Sequence, residues 1–152
     1  GLGAPHWNSD ARALFSQINF STTRAQMARS VTDSIALQVR DVITAMRAQS
    51  GGELGTLYVD GGPSRNRFLM QCVSNLVRHA VIQCEAPEAS ALGAAYLAGL
   101  SIGLWPDLDA IATLPRNTEV IEPEAIDDTT LLNRWNDALA RSTLPTTPVK
   151  GE

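Results

Sequence analysis

Cysteine, histidine and aromatic side chains are all scarce here: two Cys and two His in 152 residues, with Phe, Trp and Tyr together at 5%. Two cysteines cannot supply the disulfide framework that staples small secreted domains. Cys72 and Cys84 each sit inside an apolar pattern, which predicts two buried free thiols and a cytoplasmic setting. His6 and His79 have no Cys or Asp at ligand spacing, so no zinc site is expected, and His79 reads as a surface residue. Apolar runs fall well short of the roughly 20 residues that a membrane helix needs, so a membrane is not an expected partner. Basic residues are scattered and outnumbered, 12 against 16 acidic, for a net charge of −4. Nucleic acid, which calls for a basic face, is therefore not an expected partner either. No Gly-Lys-Ser/Thr triplet occurs, which excludes a P-loop. Gly61-Gly62 has no third glycine at the required offset, which excludes the G-x-G-x-x-G dinucleotide fingerprint.

What remains is ordinary globular composition, 44% hydrophobic and 18% charged. Residues 1–11 form a Gly/Pro loop, and the alternation from Ala13 to Phe20 predicts a strand. Thr23 and Gln26 have capping-box spacing. They open a long helix with an apolar stripe at Met27, Val31, Ile35, Val39, Val42, Ile43 and Met46, ended by Gly51-Gly52. Arg40, Asp41 and Arg47 are expected on its solvated side. Next come a strand over 54–60, a helix over 64–77 buried through Phe68, Leu69, Cys72, Val73 and Leu76, a strand over 80–84 and a helix over 89–102. That order implies two parallel strands with a crossover helix. In the helix over 89–102, Ala91, Ala94, Ala95, Ala98 and Gly99 make a smooth face suited to close packing. Glu88 precedes it, equally suited to cap the helix or to touch a ligand. Residues 103–128 read as irregular, and Asp128 caps a last helix with Leu131, Leu132, Trp135 and Leu139 on one face. Beyond Ser142 the chain reads as a frayed tail.

The richest segment runs from Leu57 to Gln71: a short apolar strand, Asp60-Gly61-Gly62-Pro63, then a helix. Glycines remove the Cβ that would block a ligand, and a helix N-terminus offers unpaired N–H groups. The same pattern also serves plain αβ packing, so geometry alone leaves a ligand site and a structural turn both open.

Three motifs go further. Val59-Asp60-Gly61-Gly62 with Asn66 and Phe68-Leu69-Met70-Gln71 resembles the adenosine-binding segment of the FGGY carbohydrate kinases. The run from Glu88 to Leu100 resembles that family's E-x-[ST]-A-L-G-A-A-Y-L-A-G-L helix. Gly1-Leu2-Gly3-Ala4-Pro5-His6-Trp7 resembles its G-L-G-A-P-Y-W loop. Order and spacing match as well, most closely the glycerol kinase and xylulokinase type. The resemblance implies an α/β, ribonuclease-H-like fold of the actin/hexokinase superfamily, here only part of the C-terminal domain. Residues 1–114 would belong to the ATP-binding domain, 115–142 to an extension with one amphipathic helix, and 143–152 to a flexible tail.

It also implies ATP-dependent phosphorylation of a sugar or polyol hydroxyl, with ATP and Mg²⁺ as cofactors. Gly61, Gly62 and Asn66 would be nucleotide-binding: Gly61 supports the turn, Gly62 lets the backbone pass the adenosine, and Asn66 hydrogen-bonds it. The catalytic base, most acceptor contacts and the phosphate loops would lie upstream of Gly1, so no catalytic or metal-binding residue is assigned here. The N-terminal remainder of the kinase becomes an expected partner, a homo-oligomer stays open, and the chain alone is expected to be inactive. Gln17 and Thr32 depart from the family's second signature, Asn8 and His6 from the glycerol kinase pattern, and together they leave the acceptor open. Two other readings stand beside the kinase: a non-catalytic nucleotide-binding or interaction module, and a flavodoxin-like or Rossmann-like domain.

Overall fold

The computed structural model describes residues 1–52, 54–84 and 88–144. Contacts divide the chain into two compact units, Gly1–Glu53 with Ala125–Glu152, and Leu54–Glu124.

In the first unit, helix α1 (Arg24–Ser50) starts at the expected capping box. The Gln26 N–H donates to Thr23 Oγ1 (3.3 Å), and the Thr23 N–H donates to Gln26 Oε1 (2.8 Å). Gly51 ends the helix at φ +83, a left-handed conformation that glycine adopts without Cβ strain. Its burial is narrower than the stripe predicts. Ala36, Leu37 and Ile43 are buried, whereas Met27, Val31, Ile35 and Met46 remain exposed. Asp41, expected in solvent, is turned inward to accept the indole N–H of Trp135 from helix α5 (Thr129–Ser142). The strand expected over 13–20 does not form. Gln17 takes φ +60, which breaks the alternation, and Leu14, Phe15 and Ile18 are exposed on both sides of the segment. At α5, Asp128 occupies the N-cap position, but its side chain makes no capping bond. Asp127 Oδ1 instead accepts the Thr129 N–H at 3.1 Å. The expected tail, from Pro145 on, lies outside the described residues.

The second unit is built around a three-stranded sheet in the order β1 (Leu57–Val59), β2 (Val81–Cys84), β3 (Thr118–Ile121). Strands β1 and β2 are parallel, as the crossover pattern requires, and helix α2 (Arg67–Val77) joins them. β3 runs antiparallel to β2, with Val81 opposite Ile121 and Cys84 opposite Thr118. This strand and helix α4 (Leu108–Ala112) correct the irregular reading of 103–128. Asp107 caps α4 by accepting the Ala110 N–H at 2.8 Å. The core combines Leu69, Met70, Val73, Leu76 and Val77 of α2 with Val81 and Ile121. The buried face of α2 is thus rotated from the expected one, leaving Phe68 45% exposed.

A polar seam fastens α2 to the end of β3. Ser74 Oγ lies 2.9 Å from the Ile121 carbonyl and 3.0 Å from that of His79, and Gln71 Nε2 donates to the Glu122 carbonyl at 2.8 Å. Asn75 Oδ1 accepts the Glu124 N–H at 2.8 Å. The Ser74 bond to Ile121 is buried and satisfies a carbonyl that would otherwise cost about 1–3 kcal/mol, whereas the Gln71 bond lies at the exposed end of the seam. His79 is not the surface residue expected: half-buried, its Nε2 lies 3.3 Å from the Leu54 carbonyl. Cys72 and Cys84 are not joined in a disulfide, and both are only partly buried.

Helix α3 (Ala89–Ser101) forms where expected, but its small-residue face is not packed as expected. Only Gly99 is buried, against Trp105, while Ala91, Ala94, Ala95 and Ala98 face solvent.

Candidate functional site

The carboxyl end of β1 leads directly into the glycine turn. Gly61 takes φ +85, ψ −178, a backbone region essentially reserved for glycine. Gly62–Arg65 then forms a single 3₁₀ turn with Pro63 near its start, where a missing N–H costs nothing. Ser64 closes this turn from within. It is buried, its hydroxyl donates to the Gly61 carbonyl at 2.8 Å, and its N–H donates to the same oxygen at 3.2 Å. Sequence reading missed Ser64. Its signal was a small hydroxyl residue three positions after the first glycine, the spacing of a turn-closing bond.

The helix expected from Ser64 therefore begins later, at Arg67, and Asn66 is its N-cap. Asn66 Oδ1 accepts the Leu69 N–H at 3.2 Å, and its backbone N–H donates to the Pro63 carbonyl at 3.1 Å. The side chain is exposed, and while its carboxamide oxygen serves the helix, its NH₂ group is not needed for that cap. An added Cβ on Gly62 would meet no protein atom within 4 Å. Packing within this chain does not demand glycine there; an open face remains beside the backbone. Gly61, Gly62 and Asn66 are thus brought together in one turn. Next to it, Arg67 pairs with Glu119 of β3.

Because β1 and β2 are parallel and in register, with Val59 opposite Gln83, the chain leaves both strands at the same sheet edge. Glycine turn and α3 therefore follow the strand ends where α/β folds gather ligand-binding loops. Glu88, at the N-cap of α3, is exposed and makes no capping bond, so the capping alternative is not realised. The opening loop, Gly1–Trp7, lies in the other compact unit. Among the described residues no group of His, Cys, Asp and Glu is arranged to hold a metal ion. Nor is any described helix long and apolar enough to cross a membrane.

Comparison with solved structures defines the class. The chain superposes on Plasmodium falciparum glycerol kinase with ADP at a TM-score of 0.80 and 31% identity, covering 96% of this chain and 30% of that one. The fold is that of the ribonuclease-H-like actin/hexokinase kinases. Residues 1–102 match the C-terminal domain of the FGGY family of carbohydrate kinases, and the chain belongs to that family. It is 44% identical over 146 residues to apulose kinase of Pectobacterium atrosepticum, covering 95% of this chain and 29% of the relative. It is 41% identical over 144 residues to glycerol kinase of Halobacterium salinarum, covering 93% and 28%. The chain thus spans less than a third of the length of these relatives.

Proposed function

We propose that the protein carrying this chain is an ATP-dependent sugar or polyol kinase, to which this chain contributes the adenosine-binding part. The observation that carries this is the turn itself: Gly62 leaves its flank open, and Asn66 presents an amide group beside it. ATP would lie with its adenosine along Gly62 and accept a hydrogen bond from the Asn66 NH₂, while Gly61 holds the turn open. When bound, ATP supplies the phosphoryl group, with Mg²⁺ carried on its phosphates and held by parts of the protein beyond this chain. Phosphoryl transfer asks a protein chiefly for positioning and charge stabilisation, and positioning is the share these residues would take. The acceptors named for the relatives, glycerol and apulose, support a polyhydroxy compound as the substrate class. Residues 1–114 would form part of the ATP-binding domain and 115–142 an extension contributing β3 and α5. Dependence on ATP suits a cytoplasmic enzyme working with its N-terminal remainder.

Asn66 has two roles in this reading, and two substitutions separate them. Asn66→Ser keeps an oxygen able to cap α2 but loses the amide donors; Asn66→Ala loses both. In the complete protein both should raise the KM for ATP about three- to tenfold, the worth of one hydrogen bond. Only Asn66→Ala should also cost about 1 kcal/mol of stability. An unchanged KM in both would remove Asn66 from the nucleotide site. A complete protein that binds ATP yet phosphorylates no member of a panel of sugars and polyols would favour the non-catalytic module instead.

A further inference from the structure

Two adjacent glycines give the turn after β1 its open flank, and they also give it backbone freedom. Beyond their chain neighbours, no atom lies within 4 Å of where a Cβ would stand on Gly61 or Gly62, so no packing holds the pair from that side. The hold comes from Ser64. The Gly61 carbonyl accepts the Ser64 hydroxyl at 2.8 Å and the Ser64 N–H at 3.2 Å, which occupies both of its lone pairs. Ser64 is only 4% exposed, whereas both glycines are exposed. We propose that Ser64 is a positioning residue for the nucleotide: its hydroxyl fixes the Gly61–Gly62 peptide from the buried side, so that the backbone meets adenosine already in its binding shape.

A peptide unit is planar, so a bond that fixes the Gly61 carbonyl fixes the whole plane between the two glycines. The far end of the turn is secured separately. The Pro63 ring sets its own φ, and the Asn66 N–H donates to the Pro63 carbonyl at 3.1 Å. At the near end, the Ser64 hydroxyl is the one side-chain group bonded to Gly61 among the described residues. Without it the shorter of the two bonds is lost. Gly61 has no Cβ to confine it to φ +85, ψ −178, and its carbonyl can turn to water. The turn then samples other shapes, and a nucleotide must order it on binding, which lowers affinity. Ser64 thus acts through Gly61, without touching the nucleotide.

This inference rests on the nucleotide reading of the turn. Calorimetric titration of ADP into the complete protein tests it, with Ser74→Ala as the matched control. Ser74 is a second buried serine of the same compact unit, and its hydroxyl serves the backbone carbonyls of Ile121 and His79, away from the turn. Ser64→Ala should weaken ADP binding about three- to tenfold, the worth of one hydrogen bond. Ser74→Ala should lower the melting temperature yet leave ADP affinity within about twofold of native. Ser64→Cys, whose thiol is a weak donor, should weaken ADP binding in the same way, and it replaces the alanine variant should that one not fold. Native ADP affinity in the Ser64 variant, or an equal loss in Ser74→Ala, overturns the positioning role. Asn66→Ser, measured alongside, separates the two readings. Weakened binding there with native binding in the Ser64 variant overturns this inference alone, while native binding in both overturns the nucleotide reading with it.

Discussion

Gly99 shows how much one missing Cβ can decide. A Cβ built there falls 2.0 Å from Cζ3 and 2.5 Å from Cε3 of Trp105, well inside any tolerable contact. Trp105 is held against α3 further by Tyr96, whose ring meets it edge-on at 5.5 Å between centroids. Gly99→Ala must push the indole away from both partners, and overpacking of this kind costs about 1–3 kcal/mol. Gly93, six residues earlier in the same helix, has open space where its Cβ would be. Gly93→Ala should therefore be neutral or stabilising by up to about 1 kcal/mol, since alanine gives up less conformational freedom on entering a helix. Thermal unfolding of the two variants of the complete protein checks this pair. Equal melting temperatures would mean that Trp105 does not rest on Gly99.

Among the elements, α5 carries a clear pH dependence at its start. The hydroxyl and the backbone N–H of Thr129 both donate to Asp127 and hold its carboxyl below the ordinary value of 3.8. A carboxyl whose value is lowered by folding contributes stability above its unfolded value and loses it as pH falls through the lowered folded value. The first turn of α5 should therefore loosen only under acid conditions, below 3.8. Amide exchange at Thr129, corrected for intrinsic rate, measures it: protection should fall in that range for the native chain. In Asp127→Asn that acid-dependent step should disappear. Protection that is constant through the acid range would rule the Asp127 contact out. α1, by contrast, needs no such titration at its start, because Thr23 and Gln26 satisfy each other without a charge.

At the scale of the whole molecule, the exposed apolar side chains dominate. Met27, Val31, Ile35 and Met46 form one row on α1, and Leu92, Leu97 and Ile102 stand exposed along and just beyond α3. Large exposed apolar patches such as the row on α1 are rare on proteins that live as monomers, and they mark surfaces that other structure covers. The isolated 152-residue chain is accordingly expected to self-associate. Sedimentation velocity of the isolated chain should show species heavier than 16.3 kDa that grow with concentration. A single monomeric boundary with cooperative melting would show that these faces need no cover.

Much of this was legible in the order of residues, and the parts that were share one property: they are local. The capping box of Thr23 and Gln26, the left-handed stop at Gly51 and the glycine turn before Asn66 involve groups within a few positions of one another. Backbone sterics and short-range hydrogen bonds decide such features, and both can be read from spacing. The parallel pair β1 and β2 followed from the crossover pattern, and the three motifs carried the family. What tertiary structure alone decided lies far apart in the chain. Thr118–Ile121 is a strand because β2 offers it partners, although its own pattern is half polar and proline-flanked. Asp41 is turned inward because Trp135, 94 positions away, donates to it. Sequence by itself thus determined the local caps and turns, the parallel pair and the family. Only tertiary structure decided which polar groups meet, because burial energies depend on neighbours that spacing along a chain does not specify.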